Sequence, residues 1–349
     1  HRDLHLSLRR QRQMCIRDSH ARDVAVVLAS LHQAKVVMGS ASPSIESTHN
    51  SHIGKYNRVE IKERYRGFSM PTIEIVDLKL SQKKKQMKGY FSDTLIEAIS
   101  KTIAAEEQVI LFQNRRGFSS FVNCTACGHV PQCPSCDVSL TYHKQNEKLK
   151  CHYCGYTVPP VMKCSACGGE SVLHKGFGTE QIAEEAASLF PKAAVKRMDL
   201  DTTRGKHAFG DLIRAVENGE VDILVGTQMV TKGLDFDRVG LVGIMSADNL
   251  LSFPDFRANE RAFQLIEQVA GRTGRRTSKG KVVIQAMKPR HSIIQLALNH
   301  DFIGMQAKEL AVRQEYQYPP FVRLITITLK HRDQKLLQRA AGEFARSLH

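Results

Sequence analysis

VDILVGTQMVTKGLDF spans residues 221–236 and joins two kinds of sequence. Its first part, 221–227, is an apolar run of strand-forming residues, which predicts a buried β-strand. Its second part is polar and contains glycine, threonine, lysine and aspartate. In an open parallel sheet, ligands bind beyond the carboxyl ends of the strands. The stretch therefore predicts a strand that carries a binding loop to the edge of a sheet.

The same alternation continues on both sides of this stretch. Further apolar runs predict strands at 108–113, 194–199, 239–245 and 280–286. Segments with helical spacing lie between them, at 92–106, 176–190, 207–220 and 257–275. Apolar strands that alternate with amphipathic helices predict a parallel sheet covered on both faces. We expect one α/β lobe of this kind over residues 92–288.

The regions on either side of this lobe predict parts of other domains. Residues 20–91 combine a helical pattern at 21–33, a buried strand at 34–39, a strand at 72–78 and a polar linker at 81–89. We expect them to be the end of a preceding lobe and its linker. Residues 289–349, with a strand at 322–330 and a final helical pattern, predict the start of a truncated C-terminal domain.

Residues 1–19 show neither a helical nor a strand period. Their portion QMCIRDS, 13–19, resembles a translated sequencing adapter. We interpret residues 1–19 as non-native, and the alternative is an arginine-rich arm that binds nucleic acid.

Eight of the nine cysteines form four Cys-x-x-Cys pairs between residues 124 and 167. Disulfides need an oxidising compartment, and no secretory signal is recognisable, so we expect a cytoplasmic protein. A thioredoxin-like redox site needs one such pair, whereas two pairs complete a tetrahedral Cys₄ zinc site. We therefore predict two structural zinc ions in a module inserted over about 121–172. The spacing alone allows three pairings of the four Cys-x-x-Cys units.

The charge of the chain indicates a polyanionic partner. The formal net charge is +15, and hydrophobic residues make up an ordinary 42%. Two zinc–tetrathiolate sites would lower the charge to about +11, because each carries −2. A protein this basic favours nucleic acid as its partner, and basic clusters occur at 83–85, 115–116 and 275–276. No run of 18 apolar residues is present, which excludes a helical membrane span.

Several loops carry residues that resemble helicase motifs. Ser40-Ala41-Ser42-Pro43 resembles the Ser-Ala-Thr motif of superfamily-two helicases, with Ser42 in place of threonine. Residues 226–236 resemble motif V, and Gln268-Val269-Ala270-Gly271-Arg272-Thr273-Gly274-Arg275 resembles motif VI. Asn114-Arg115-Arg116-Gly117 resembles a motif IV. GFGTE, 176–180, opens a helix whose amides could hold a phosphate, and the alternative is a plain helix cap at Thr179.

The order of these motifs around an eight-cysteine insertion, followed by YPPF at 318–321, resembles the bacterial replication-restart helicases of the PriA (primosomal protein N′) family. The resemblance covers about residues 20–349. It implies a RecA-like helicase lobe with a two-zinc insertion and a 3′→5′ DNA helicase activity that uses ATP and Mg²⁺. It also implies forked and single-stranded DNA, primosome proteins, single-strand-binding protein and the replicative helicase as partners.

The resemblance also implies roles for single residues. It implies that Arg272 and Arg275 are arginine fingers, supported by Gln268 and Asp235. It implies that Ser40, Ala41 and Ser42 couple nucleotide binding to DNA binding. The residues that it implies for DNA contacts are Arg115, Arg116, Thr179, Thr227, Gln228, Thr231 and Lys232. It implies nested zinc pairing, with Cys124, Cys127, Cys164 and Cys167 on one ion and Cys133, Cys136, Cys151 and Cys154 on the other.

The sequence contains neither a G-x-x-x-x-G-K-[ST] phosphate loop nor the family's Asp-Glu-Glu-His magnesium motif. We therefore expect that this chain alone hydrolyses no ATP, and that it is a segment of a working replication-restart helicase. Two alternatives stay open. One is a catalytically silent zinc-bearing module that binds DNA or protein, and the other is a different helicase that acts on RNA.

Overall fold

The structure is a computed structural model, and it describes residues 21–61, 70–113, 121–124, 127–143, 148–151, 153–159, 163–169, 171–174, 178–199, 202–203, 207–231, 236–273, 280–325, 327, 329 and 334–347. It divides into two units, 1–43 and 44–349, and each is described by itself. No helix among these residues is both long enough and apolar enough to cross a membrane.

The first unit contains one described helix, α1 (Ala21–Leu31), which confirms the helical pattern predicted at 21–33. The buried strand predicted over 34–39 is wrong. These residues form no strand, and Val37 is 96% exposed. The physical reason is that a strand must pair its backbone N–H and C=O groups with a neighbouring strand. None of the described strands pairs with this segment.

The second unit contains the remaining elements. Its strands are β1 (Thr72–Asp77), β2 (Met87–Lys88), β3 (Phe91–Ser92), β4 (Gln108–Phe112), β5 (Phe121–Cys124), β6 (Thr141–His143), β7 (Lys148–Lys150), β8 (Thr157–Val158), β9 (Ser171–His174), β10 (Val195–Met198), β11 (Ile223–Gly226), β12 (Val239–Ile244) and β13 (Lys281–Ala286). Its helices are α2 (Ile45–His52), α3 (Leu78–Lys83), α4 (Asp93–Ala104), α5 (Thr179–Leu189), α6 (Ala208–Glu217), α7 (Asp248–Leu251), α8 (Ala258–Ala270), α9 (Ser292–Leu298), α10 (Phe302–Glu315) and α11 (Gln334–Ser347).

Six strands form a parallel sheet in the order β1-β13-β12-β4-β11-β10. The predicted parallel α/β lobe is therefore confirmed. Strand β1 pairs with β13 along its whole length, from Thr72 opposite Lys281 to Asp77 opposite Ala286. The sheet thus begins before residue 92, where we expected the lobe to start, because β1 finds its hydrogen-bond partner in β13.

Helices cover both faces of this sheet, as the sequence predicts. On one face, α4 and α5 pack through side chains such as Leu95, Ile99 and Ile182, all fully buried. On the other face, α6, α8, α9 and α10 pack around a second cluster that includes Ile266 and Met305. Burial of each such side chain contributes roughly 1.5–3 kcal/mol, so the two clusters hold the lobe together.

Two flanking segments belong to the lobe rather than to separate domains. Helices α9 and α10 contribute Ile293, Ile294 and Met305 to the lobe core, although we expected a new domain from residue 289. The linker expected at 81–89 instead forms the end of α3 and the first strand of the β2–β3 hairpin. Asp77 caps α3 because its carboxylate accepts the amides of Lys79 and Leu80, at 2.9 and 3.1 Å.

The strand predicted over 322–330 is wrong. Its described residues form no strand, and Ile325 is 85% exposed. An alternating apolar run forms a stable strand only where it can pair with another strand and pack against a core. In the described part of the chain, no strand pairs with residues 322–325, 327 or 329. The final helical pattern is confirmed as α11.

The cysteine-rich insertion lies between β4 and α5. Strands β5 and β9 pair antiparallel where the insertion begins and ends, and β6, β7 and β8 form a small antiparallel sheet inside it. Because β5 and β9 close the insertion on itself, it can fold without interrupting the parallel sheet.

Candidate metal centres and sheet-edge site

The eight paired cysteines gather into two groups of four. The first group, here the root cluster, is Cys124, Cys127, Cys164 and Cys167. The second, here the docked cluster, is Cys133, Cys136, Cys151 and Cys154. In each group all four sulfurs lie within 4.8 Å of one another. These are the same two groups that the nested pairing implies.

The sulfur spacing suits a tetrahedral metal. Cys124 and Cys167 have their sulfurs 3.5 Å apart, and those of Cys127 and Cys164 lie 3.6 Å apart. A disulfide would require about 2.05 Å. Four sulfurs at about 2.3 Å from a central zinc lie about 3.8 Å from one another. The donor set is all sulfur, so the geometry fits zinc and leaves no open position for catalysis.

Burial and backbone hydrogen bonds set the chemistry of these thiols. Burial raises the pKa of Cys127 and that of Cys136 to about 12. A bound cation would offset this effect, because it favours the thiolate. The amide of Cys127 donates to the Cys124 sulfur at 3.4 Å, and the amide of Ala166 donates to the Cys164 sulfur at 3.3 Å. Such amides point partial positive charge at sulfur and support a thiolate.

The docked cluster is attached to the lobe by aromatic rings. The Tyr318 hydroxyl donates to the carbonyl oxygen of Cys136 at 2.7 Å. Burial raises the pKa of Tyr318, so its hydroxyl keeps the donated proton. Phe256 stacks on Tyr318 with ring centroids 4.6 Å apart, and Tyr153 meets both rings edge-on at 6.3 and 5.8 Å. One knuckle of the insertion is therefore fixed to the segment that precedes α8.

A buried ion cluster lies beneath these rings. Arg313 is 1% exposed, donates to Glu260 at 2.6 Å and to Glu46 at 3.3 Å, and lies 5.1 Å from the centre of the Phe256 ring. The Ile45 amide also donates to Glu260, at 3.0 Å. A buried guanidinium needs such partners, because desolvation of an unpaired charge costs several kcal/mol. The cluster joins α2, α8 and α10.

The root cluster touches the lobe differently. Gly128, in the tight turn that follows Cys127, has a φ of 66° and lies against Met287, just beyond β13. A Cβ at Gly128 would come within 2.8 Å of the Met287 Cβ, so only glycine fits this approach. Strands β5 and β9 also hold the root cluster, by pairing with each other.

At the carboxyl end of β11 lies the loop that begins the resemblance to motif V. Thr227 is buried, and its amide donates to the Met198 carbonyl at 3.4 Å. Residues Gln228–Thr231 form a 3₁₀ turn that packs against α8. Gln268 lies on the exposed side of α8, and Arg272 follows the end of that helix. The structure thus brings the turn against the helix that carries Gln268 and that ends just before Arg272.

The remaining predicted helicase-motif residues fall into two groups. Ser40, Ala41 and Ser42 lie in the first unit, where the Ser42 amide donates to the Ser40 hydroxyl oxygen at 3.2 Å. Arg115, Arg116, Lys232, Asp235 and Arg275 lie outside the described residues.

Thr179 makes a contact that the sequence did not predict. Its hydroxyl donates to the carboxylate of Asp199 at 2.7 Å, and Gly178, not Thr179, is the N-cap of α5. Burial raises the pKa of Asp199, but hydrogen bonds from Thr179, Thr202 and Arg197 outweigh it and lower that pKa to about 2. The alternative of a cap at Thr179 is therefore wrong. The signal that could have found Asp199 is its place one residue beyond β10.

Two family models match the chain. The PriA DNA helicase Cys-rich region domain matches residues 133–159, and the helicase conserved C-terminal domain matches 178–277. The replication restart protein PriA of Bacillus subtilis (strain 168) is 44% identical over 314 residues, which is 90% of this chain and 39% of that protein. The PriA of Rickettsia conorii is 38% identical over 94% of this chain and 50% of its own length.

Over about nine tenths of its length, the chain is similar to these PriA proteins. It spans half or less of the length of the curated PriA proteins named above. Among solved structures, RecG bound to a three-way DNA junction matches 78% of the chain and 26% of its own length, with 12% identity and a TM-score of 0.43. The chain contains a RecA-like parallel-sheet lobe and a zinc-binding Cys-rich module.

Proposed function

We propose that this chain supplies the second motor lobe and the zinc module of an ATP-dependent 3′→5′ DNA helicase, which recognises stalled replication forks and restarts replication by primosome assembly. The observation that carries the proposal is the packing of the turn Gln228–Thr231 against α8. This contact joins a loop suited to DNA phosphates to the helix that precedes Arg272. A helicase needs such a contact, because ATP hydrolysis near Arg272 must shift the loop that holds DNA.

Within this proposal the arginines act on the nucleotide. The planar guanidinium groups of Arg272 and Arg275 would clamp γ-phosphate oxygens of ATP and stabilise the charge of the transition state. Gln268 and Asp235 would orient that cluster. ATP and Mg²⁺ would bind in the complete protein, where Mg²⁺ neutralises phosphate charge. Ser40, Ala41 and Ser42 would couple the nucleotide state to DNA through their hydroxyls and backbone.

DNA would contact the carboxyl edge of the sheet. The Thr227–Thr231 turn and Lys232 would hold phosphates through amides, hydroxyls and the ammonium group, and Arg115 and Arg116 would add charge beyond β4. The buried hydroxyl of Thr179 already donates to Asp199, so we assign any DNA contact at this position to the backbone amides of α5.

The two cysteine clusters would each hold one structural zinc ion through four thiolates. The surface that they shape would meet primosome proteins, single-strand-binding protein and the replicative helicase in the cytoplasm. We propose that the second lobe extends from β1 to α10, beyond the expected limits of 92–288, and that the zinc module occupies the expected residues 121–172 within it.

The test is a chimera. The matching segment of the Bacillus subtilis PriA protein, 44% identical, is replaced by residues 44–345 of this chain. We expect ATP hydrolysis that forked DNA stimulates, and loss of it in the same chimera with Arg272→Ala. We also expect that the 349-residue chain alone binds forked DNA without turnover.

The outcomes separate the alternatives. A chimera that folds and binds forked DNA but hydrolyses no ATP would favour the silent zinc-bearing module. Preference for duplex RNA over forked DNA in a competition assay would favour the RNA helicase.

A further inference from the structure

Four exposed lysines lie on a segment that the helicase motifs leave without a role. The segment is α3 with the β2–β3 hairpin, Leu78–Ser92, here the lysine platform. Lys83, Lys84, Lys85 and Lys88 are all exposed. Among the residues that the structure describes, none of the four lies in an ion pair. Like charges at such spacing repel one another, so the arrangement costs stability in the free protein.

The backbone of the platform is held firmly in spite of this repulsion. The buried side chain of Gln285, on β13, accepts the Ser92 amide at 2.8 Å and donates to the Tyr90 carbonyl at 2.9 Å. The Glu185 carboxylate accepts the Tyr90 amide at 3.1 Å. Phe91, between these anchors, is fully buried. The lysines therefore extend from a fixed support and not from a flexible linker.

Glycine makes this close support possible. Gly89 has a φ of 54°, and a Cβ at this position would collide with the Glu185 carboxylate. Two carboxylates close to this segment are engaged with backbone amides: Glu185 with Tyr90, and Asp77 with Lys79 and Leu80. The exposed Asp93, at the start of α4, is the one acidic residue that directly follows the hairpin in sequence. The positive charge at the hairpin and at the end of α3 is thus left for an external anion.

The platform lies at the edge of the sheet where the proposed DNA contacts lie. Helix α3 begins directly after β1 ends, and the Thr227 loop begins directly after β11 ends. All six strands are parallel, so these ends share one edge. Four strand spacings separate β1 from β11, which is about 19 Å at about 4.8 Å each. That distance corresponds to roughly six nucleotide steps of about 3.4 Å.

We propose that the lysine platform binds the phosphate backbone of DNA, as a second contact on the strand held at the Thr227 loop. The proposal rests on the DNA-binding function proposed above. Lysine ammonium groups are flexible point charges, which suits contacts that do not depend on base sequence. The fixed backbone keeps them in place, so that binding does not require ordering of the segment.

The test compares two triple variants of the 349-residue, zinc-loaded chain. One is Lys83→Gln, Lys84→Gln, Lys88→Gln on the platform. The matched control is Lys101→Gln, Lys192→Gln, Lys196→Gln, three exposed lysines near the amino-terminal edge of the sheet. Affinity for a fluorescein-labelled forked DNA is measured by anisotropy between 50 and 300 mM salt. The platform variant should lose on the order of 100-fold at low salt, and its log–log salt slope should flatten by about 3.

Further readouts keep this test independent of folding. Because the substitutions relieve repulsion, the platform variant should melt at the same temperature as the wild type or above it, and Lys83→Arg, Lys84→Arg, Lys88→Arg should keep wild-type affinity. Equal losses in both triple variants, or an unchanged salt slope in the platform variant, would overturn the proposal. A platform variant that still binds DNA but no longer binds poly-glutamate, a stand-in for an acidic protein partner, would also overturn the proposal. A wild-type chain that binds no DNA would instead overturn the proposed function on which this inference rests.

Discussion

The two cysteine clusters have the same ligands but are held in the protein by different means. The docked cluster has a small apolar core of its own, which includes Val138, Leu140 and Leu149, and Phe256 of the lobe packs against it. Tyr318 adds a hydrogen bond to Cys136. The root cluster is held mainly by the pairing of β5 with β9, which join the insertion to the lobe.

This difference shows that two clusters with the same cysteine ligands can have different structural roles. The root cluster closes the base of the insertion, where two chain segments leave and re-enter the lobe. The docked cluster fixes the middle of the insertion against α8 and α10 through Phe256, Tyr318 and Arg313. Loss of the root cluster should therefore free the base, whereas loss of the docked cluster should free the contact with the lobe.

The largest expected effect comes from removing a single cysteine ligand, from one cluster in each of two variants. Cys133→Ser should halve the bound zinc and unravel the docked cluster, because a structural zinc site supplies on the order of 10 kcal/mol in small peptides. Hydrogen exchange should then lose protection around Tyr318 but keep it in β12, because the parallel sheet has its own core. Zinc content is measured by atomic emission on the same samples.

Cys124→Ser is the matched change in the root cluster. It should also halve the zinc content, but it should remove exchange protection from β5 and β9 and leave the Tyr318 segment protected. If both variants lost protection at the same places, the two clusters would form one cooperative unit. If β12 lost protection as well, the insertion would not be separable from the lobe.

A smaller effect should follow from removing the aromatic contact. Phe256→Ala deletes the ring that stacks on Tyr318 and whose centre lies 4.2 and 5.1 Å from the guanidinium groups of Arg257 and Arg313. Because the ring is half-buried, we expect a loss of roughly 2–3 kcal/mol, below the range for a fully buried phenylalanine. The opening free energy of the docked cluster, from native-state hydrogen exchange, measures this loss. Met287→Ala, against the root cluster, should leave that value unchanged, and an equal loss would contradict the comparison.

The sequence predicts these regions unequally, for physical reasons. The β11 and β12 strands were predictable because a run buried on both faces is apolar throughout and does not depend on remote detail. The four Cys-x-x-Cys pairs were equally clear, because a metal site needs fixed ligand spacing. The docking of the insertion was not predictable, because nothing in the local pattern of Phe256 or Tyr318 says that the two rings meet.

The errors have a common cause as well. The segments 34–39 and 322–330 have the composition of strands, but composition says what a segment could bury and not whether a partner lies beside it. The lysine-rich stretch 81–89 looked like a linker, because the anchor that orders it, Gln285, lies far away in the chain. The cap expected as an alternative at Thr179 fails for a similar reason, because only the fold reveals Asp199 beside its hydroxyl.

The finest test of the comparison removes one hydroxyl group. Tyr318→Phe keeps the ring stack on Phe256 but deletes the hydrogen bond to the Cys136 carbonyl. We expect a loss of about 1 kcal/mol, the usual net value of a neutral hydrogen bond, and therefore roughly fivefold faster release of one zinc ion to a chelator. Stopped-flow measurement of zinc release resolves the two ions as separate phases.

The matched control is Tyr156→Phe, because Tyr156 lies on the same docked cluster but is exposed. It should leave both phases of zinc release unchanged. If Tyr318→Phe accelerated both phases equally, the hydroxyl would stabilise the lobe as a whole rather than one cluster. Acceleration confined to one phase would mean that the lobe stabilises the docked cluster directly, and that the unchanged phase belongs to a root cluster that depends on its own two strands.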